Sequence, residues 1–270
     1  MVLFPNCKIN LGLHILGKRA DGYHELETIF YPIGLKDGLE IIEDGSLTET
    51  MFTQSGNKIE GKAEDNLCLK AFRLLKHDHP QIPHCRIHLH KVIPDRAGLG
   101  GGSSDAAFTL ILLNEKFNLN LEEADLLRYS LMLGSDCPFF IKNQPCLASG
   151  RGEKLEPILL DLSQYKLLLI HPGIGIETAK AFAGLNLIKT ERKSLSELIR
   201  LPVKDWSTYI VNDFEASIFP SYPTIAEIKE NLYENGAIYA SMSGSGSSIY
   251  GLFNEEKTIT FPSHYFHKWI

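Results

Sequence analysis

Pro94-Asp95-Arg96-Ala97-Gly98-Leu99-Gly100-Gly101-Gly102-Ser103-Ser104 runs directly into an alanine- and leucine-rich stretch that reads as a helix from about Asp105 to Asn114. Just before it, Cys85, Ile87 and Leu89 alternate with Arg86, His88 and His90 in the manner of a strand. Glycines between a strand and a helix start have a chemical use. They let backbone N–H groups approach an anion closely, and the helix N-terminus adds unpaired donors and a partial positive charge. The implied ligand is a di- or triphosphate; a flexible Gly/Ser connector is the competing reading. Two common nucleotide fingerprints do not fit. No lysine follows the glycines as in a Walker loop, and Ser103 stands where G-x-G-x-x-G needs its last glycine. The phosphate charge must then be met by backbone, hydroxyls and a metal, for which Mg²⁺ is the expected ion; no residue is assigned to it directly.

Outward from this loop, strands and helices mix without a regular βαβ rhythm. Tyr23 to Glu43 reads as strands, and Asp65-Asn66 opens a helix from Leu67 to Leu75. A second helix, Leu121 to Leu133, stops at Gly134. Beyond the turn-rich segment Ala148 to Glu153, Lys166 to Ile170 reads as a buried strand, and Asn212-Asp213 caps a short helix. Thr224 to Asn235 reads as a helix ended by Gly236, and Ile238-Tyr239 and Ile249 to Phe253 as strands. The fold class expected is α+β, in two domains of residues 1–155 and 156–270.

Three further segments carry polar residues in suggestive places. In Lys8-Ile9-Asn10-Leu11, Lys8 and Asn10 share one strand face; taken alone, this reads first as a solvated face. In Gly134-Ser135-Asp136-Cys137-Pro138, Asp136 is placed at a helix-to-strand junction. There it is either a turn residue or a general base held in fixed geometry. Ser243-Gly244-Ser245-Gly246 is a hairpin loop or a second set of N–H donors to phosphate. His77, His79, His84, His88 and His90 cluster, but no cysteine or carboxylate clearly completes a metal site, so a wet strand face is expected.

Composition narrows the class. The chain has 270 residues, 44% hydrophobic and 22% charged, with net charge −6. That is ordinary globular usage and argues against a nucleic-acid partner, which usually needs a basic face. The five cysteines, at 7, 68, 85, 137 and 146, form no CxxC and are expected as free thiols. With no signal-peptide pattern and no membrane-length apolar run, a cytoplasmic protein without a membrane partner is expected.

Taken in chain order, several segments resemble the GHMP kinase superfamily over residues 5–253. They are Lys8 to Leu11, Lys18-Arg19-Ala20-Asp21-Gly22-Tyr23-His24-Glu25-Leu26, Gly98 to Ser104 and Gly134 to Phe140, with His171-Pro172-Gly173, Asn212-Asp213-Phe214-Glu215 and Ser243 to Gly246. The stretch ending in Tyr23-His24 is similar to the branch whose acceptor is a cytidine diphosphate ester of a methylerythritol. The glycine loops mark the superfamily in general.

The resemblance implies an N-terminal domain like domain 2 of ribosomal protein S5, a ferredoxin-like C-terminal domain and an active site in the cleft between them. It implies ATP as donor and the acceptor's tertiary 2-hydroxyl as target, giving the 2-phosphate and ADP in non-mevalonate isoprenoid (terpenoid) precursor synthesis. By the same resemblance Asp136 is the base and Lys8 its partner. Asn66, Leu67, Lys91 and Pro94 join the loop Gly98, Leu99, Gly100, Gly101, Gly102, Ser103 and Ser104 in binding ATP. Asn10, Tyr23, His24, Thr178 and Phe182 bind the acceptor, Phe182 stacking on cytosine. Family members usually carry glycine where Arg96 stands, and residues 255–270 match nothing functional. The alternatives are a homoserine or mevalonate type of kinase, or an inert nucleotide-binding module. Tyr23-His24 and Phe182 speak against the first, and retention of Lys8 and Asp136 against the second.

Overall fold

The computed structural model describes residues 1–185 and 192–270, which form two compact units. The first comprises Met1–Cys7, Gly34–Asp95 and Gly100–Gln144; the second comprises Lys8–Ile33, Arg96–Leu99 and Pro145–Ile270. The chain therefore leaves and re-enters the first unit, and the glycine loop contributes residues to both.

In chain order the strands are β1 (Val2–Leu3), β2 (Asn6–Lys18), β3 (His24–Lys36), β4 (Gly38–Glu43), β5 (Met51–Gly56) and β6 (Cys85–Lys91). Then follow β7 (Cys146–Gly150), β8 (Lys154–Pro157), β9 (Lys166–His171), β10 (Tyr239–Met242), β11 (Ile249–Phe253) and β12 (Phe266–Trp269). Among the described residues they form three four-stranded sheets, ordered β1-β4-β6-β5, β2-β3-β7-β8 and β10-β11-β9-β12.

The first unit holds the first sheet and the helices α1 (Leu67–Asp78), α2 (Gly101–Lys116), α3 (Glu123–Leu133) and α4 (Cys137–Lys142). Alternation in β6 buries Cys85, Ile87 and Leu89 against Leu75, Leu110 and Leu113. Helix α1 starts where Asn66 Oδ1 accepts from the Cys68 N–H at 2.8 Å, satisfying one of the helix's unpaired donors. Helix α2 starts at Gly101, four residues before the expected Asp105. Its cap, Gly100, has φ +68°, so Gly101, Gly102, Ser103 and Ser104 make up the first turn. Apolar residues carry the periodic signal of a helix, and glycines carry none.

The second unit holds the third sheet, most of the second (the first two residues of β2 and the last three of β3 belong to the first unit), and α5 (Thr178–Ala183), α6 (Leu195–Leu198), α7 (Trp206–Tyr209), α8 (Phe214–Ile218) and α9 (Pro223–Glu234). Asn212 Oδ1 accepts from the Phe214 N–H at 3.0 Å, and Gly236 follows α9 with φ +91°, as the capping signals require. Numbered by appearance in the third sheet, the strands lie 4-1-3-2 and every pair is antiparallel. That is the order of a split βαβ sheet. One half departs from it: the described connection 254–265 between β11 and β12 has no helix. The core of this unit gathers Leu13, Leu168, Ile170, Phe214, Ile225 and Leu232.

All five cysteines are buried with free thiols. No helix among the described residues is long and apolar enough to cross a membrane.

Candidate active site

Within the first unit, a pocket of about 440 Å³ is lined by Asn66, Leu67, Lys91, Gly102 and Asp105 among others. Lys91 and Gly102 come to it from the end of β6 and the first turn of α2. These elements approach closely because residue 101 is glycine: a Cβ there would lie 2.9 Å from Ile93 Cγ2. Pro94 is buried just beyond β6. The Lys91 ammonium is buried between two carboxylates, 2.5 Å from Asp37 Oδ2 and 2.8 Å from Asp105 Oδ2. Burial pulls the lysine's pKa down, but the two carboxylates outweigh it and hold it raised. Its charge is thus engaged inside the protein, and the pocket meets Lys91 as a wall. Asp37 also accepts from the Val92 and Ile93 N–H groups at 2.6 and 2.9 Å, which fixes the end of β6. Nothing in the sequence around Asp37 marks this role, because a lone aspartate between strands looks like a turn residue.

Asp136 stands at the start of α4, with Pro138 in the helix's first turn. The expected helix-to-strand junction is therefore a helix-to-helix junction. Proline is tolerated in a first turn, where its missing N–H would have no intrahelical partner. Burial raises the Cys137 thiol to about 12, which leaves it a packing residue rather than a nucleophile.

In the second unit, Lys8 and Asn10 lie on β2, which is buried from Asn6 to Ile15. The solvated strand face expected from alternation is not found. Lys8 is 3% and Asn10 2% exposed. Strand β2 is at the edge of its sheet, yet other elements cover it and satisfy its backbone: the Asn10 N–H donates to Ser243 Oγ at 3.2 Å, and Tyr250 OH donates to the Asn10 carbonyl at 2.8 Å. Lys8 Nζ donates to Asn10 Oδ1 and lies 4.6 Å from the centroid of the Phe30 ring. Neither Tyr250 nor Thr28, described below, stood out in the sequence, since each sits inside an apolar strand pattern.

The same unit brings the two glycine segments together. Ser243 Oγ donates to the Gly98 carbonyl at 2.8 Å, the Ser248 N–H to Ala97 at 3.2 Å and the Lys8 N–H to Leu99 at 3.0 Å. In the first unit the Gly100 carbonyl accepts from the Ser104 N–H at 2.9 Å. Four successive carbonyls are thereby turned into the protein. Arg96, Gly98 and Gly100 have positive φ, at 49°, 75° and 68°. Alternation of this kind turns successive N–H groups to one side, the geometry of an anion nest. Arg96 adopts it without being glycine, which accounts for the glycine that the family resemblance leads one to expect there. Asn212 Nδ2 holds the second loop by donating to Met242 and Gly244 carbonyls at 2.7 and 2.8 Å. Thr178 Oγ lies 3.3 Å from Ser245 Oγ.

His24 and Phe182 are also brought together, their rings stacked. Tyr23 is exposed and its ring meets Arg151, the guanidinium carbon 4.7 Å from the ring centroid. His88 and His90 face Thr53 and Ser55 on the neighbouring strand, with ring nitrogens 2.8–2.9 Å from the hydroxyls. Among the described residues no group of three His, Cys, Asp or Glu side chains could hold a metal. Mg²⁺ characteristically takes much of its coordination from phosphate and water. One protein oxygen is available in the right element: Ser104 Oγ is buried in the first turn of α2 with no hydrogen-bond partner among the described residues.

Comparison with known proteins places these features in context. Residues 66–144 match the family model for the GHMP kinases N terminal domain, and residues 187–260 that for the GHMP kinases C terminal domain. A 4-diphosphocytidyl-2-C-methyl-D-erythritol kinase from Azobacteroides pseudotrichonymphae is 53% identical over 255 residues, 94% of each chain. A crystal structure of a 4-(cytidine 5'-diphospho)-2C-methyl-D-erythritol kinase superposes with TM-score 0.79 at 29% identity, covering 93% of this chain and 90% of that one. The Methanococcus jannaschii mevalonate kinase superposes with TM-score 0.68 at 17% identity over 94% and 91% of the two chains, a likeness of fold.

Proposed function

The chain belongs to the GHMP kinase family, and on that premise we propose that it transfers the γ-phosphoryl group of ATP to the 2-hydroxyl of 4-diphosphocytidyl-2-C-methyl-D-erythritol. The products are the 2-phosphate and ADP, in non-mevalonate isoprenoid synthesis. The observation that carries the acceptor's identity is the 53% identity, across 94% of both chains, to a kinase named for that substrate.

In this reaction the acceptor oxygen forms a bond to the γ-phosphorus while the bond from that phosphorus to the β,γ-bridging oxygen breaks. The hydroxyl proton passes to the Asp136 carboxylate. Protein groups mostly position the reactants and stabilise charge in such a transfer. The N–H groups of Gly98 to Ser104 hold the ATP phosphates, with Ser243, Gly244, Ser245 and Gly246 as further donors. The capped carbonyls of the first loop support this, because an anion approaching it meets donors rather than lone pairs. Lys8 stabilises the developing alkoxide, and Asn10 orients the acceptor. Asn66, Leu67 and Pro94 flank the nucleoside of ATP, and Lys91, its charge engaged, shapes that wall. Tyr23, His24, Thr178 and Phe182 take the cytidine end. Ser104 would hold Mg²⁺, which would supply charge neutralisation on the transferring phosphates. Nucleotide binding by residues 1–155, a ferredoxin-like part from 156, a cytoplasmic location and the absence of nucleic-acid and membrane partners belong to the same proposal.

Mass analysis after incubation with ATP, Mg²⁺ and a panel of alcohols tests it. One added phosphoryl group on the cytidine ester and on no other alcohol is expected. Phosphorylated homoserine or mevalonate, or ATP bound and never consumed, would overturn the assignment.

A further inference from the structure

The Thr28 hydroxyl lies inside β3, 1% exposed, and makes two hydrogen bonds of fixed sense. Its oxygen is 2.6 Å from the Gly12 carbonyl, which only accepts, so the single hydroxyl proton points there. Gly12 has φ +70°, so β2 departs from extended geometry at this residue. With its proton committed, Thr28 Oγ is an acceptor toward Asn10, whose nearer side-chain atom, at 2.9 Å, must be the NH₂ nitrogen. The other end of the amide, Oδ1, then faces Lys8, whose ammonium only donates. Turning the Asn10 amide over would set NH₂ against the ammonium and two oxygens against each other at Thr28.

We propose that Thr28 is a positioning residue for phosphoryl transfer: its hydroxyl fixes the orientation of the Asn10 amide and, through Asn10 Oδ1, the direction of the Lys8 ammonium. The role rests on the reading of Lys8 and Asn10 as site residues. Thr28 has no place among the residues that the family resemblance implies. It acts on the reaction through two of them, from a strand that neither belongs to.

Thr28→Val keeps the shape and removes the hydroxyl; Thr28→Ser keeps the hydroxyl. Loss of such a buried bond corresponds to roughly 10–100-fold in rate. The valine variant is expected to lose that much in kcat, with KM for ATP unchanged. The serine variant is expected to recover most of the rate, which a packing role of the threonine methyl would not produce. In an Asn10→Ala background, Thr28→Val should have little further effect. Should the valine variant fold poorly, Thr28→Cys, with a weak donor of similar size, is expected to show the same loss. Normal turnover of the valine or cysteine variant, beside an inactive Lys8→Met, would overturn the role of Thr28. Normal turnover of Lys8→Met would instead overturn the reading of Lys8 on which it rests.

Discussion

The imidazole of His24 lies flat on the ring of Phe182, with centroids 4.4 Å apart and planes 13° from parallel. Phe182 also meets Phe214 edge-on at 4.9 Å and packs against the core of the second unit. One face of the aromatic ring proposed for cytosine is therefore covered by the histidine proposed for the same base. Stacked aromatic rings sit about 4.5–7 Å apart between centroids. A base entering between them must displace the imidazole.

Phe182→Ala is accordingly expected to act on binding and on stability together. Base–aromatic stacking is worth about 1–3 kcal/mol, so KM for the cytidine substrate should rise roughly 5–150-fold. Since the ring is half-buried, about 2 kcal/mol of stability should go with it, below the ~3–5 kcal/mol of a fully buried phenylalanine. KM for ATP should hold. An unchanged KM for the cytidine substrate in the folded variant would make Phe182 a packing residue.

Asp136→Asn removes a proton acceptor at nearly constant shape. A general base contributes typically 10²–10⁴-fold, so kcat should fall by at least ~100-fold while ATP affinity barely changes. Direct titration of ATP alongside steady-state rates separates the two. Turnover near the wild-type rate would leave the reaction without Asp136 as its base.

The legible parts of this chain were those with a local signature. Asn66, Asn212 and Gly236 mark helix ends, and Gly98 and Gly100 mark a turn, because caps and positive φ are decided within a few residues. The register of β2 misled on exposure. Alternation separates two faces of a strand, but whether the second face meets water depends on what covers it, and here Ser243 and Tyr250 do. Asp136 reads as a helix-to-strand junction because Cys137 to Lys142 is too short to show helical periodicity. Thr28 and Asp37 were silent for another reason: their partners lie 16 to 56 residues away in sequence.

The buried cluster of Lys91 makes a prediction about pH. Burial, opposed by the Lys91 ammonium, raises the Asp105 carboxyl to about 7, against 3.8 for an ordinary aspartate. The folded state thus binds this proton more tightly than the unfolded state does. The stability it contributes is fully present below about pH 4 and is lost as pH rises through about 7. Asp105→Asn should flatten that part of the stability profile, measured by denaturant unfolding from pH 4 to 8. Lys91→Met should cost roughly 3–5 kcal/mol, since it leaves two buried carboxylates facing each other. A Lys91→Met variant as stable as wild type would show that water reaches the cluster.

Gly98 provides the sharpest test of the paired glycine loops. Its φ is +75°, and a Cβ built on it would stand 2.0 Å from the Ser243 carbonyl oxygen and 3.1 Å from that of Gly246. Both obstacles are backbone, so a side chain here forces the loops apart instead of being absorbed by a rotamer. Gly236 is the control, with φ +91° and only the Lys257 ammonium, at the end of a flexible chain, 2.9 Å from its Cβ. Each alanine variant should lose about 1–2 kcal/mol to left-handed backbone strain. Separation of the loops also breaks the Ser243 Oγ bond to Gly98 and disturbs its bond with the Asn10 N–H. Gly98→Ala should therefore raise KM for ATP and lower kcat together, whereas Gly236→Ala should change neither. If the two variants lose equal stability and both keep normal kinetics, contact between the loops has no part in catalysis.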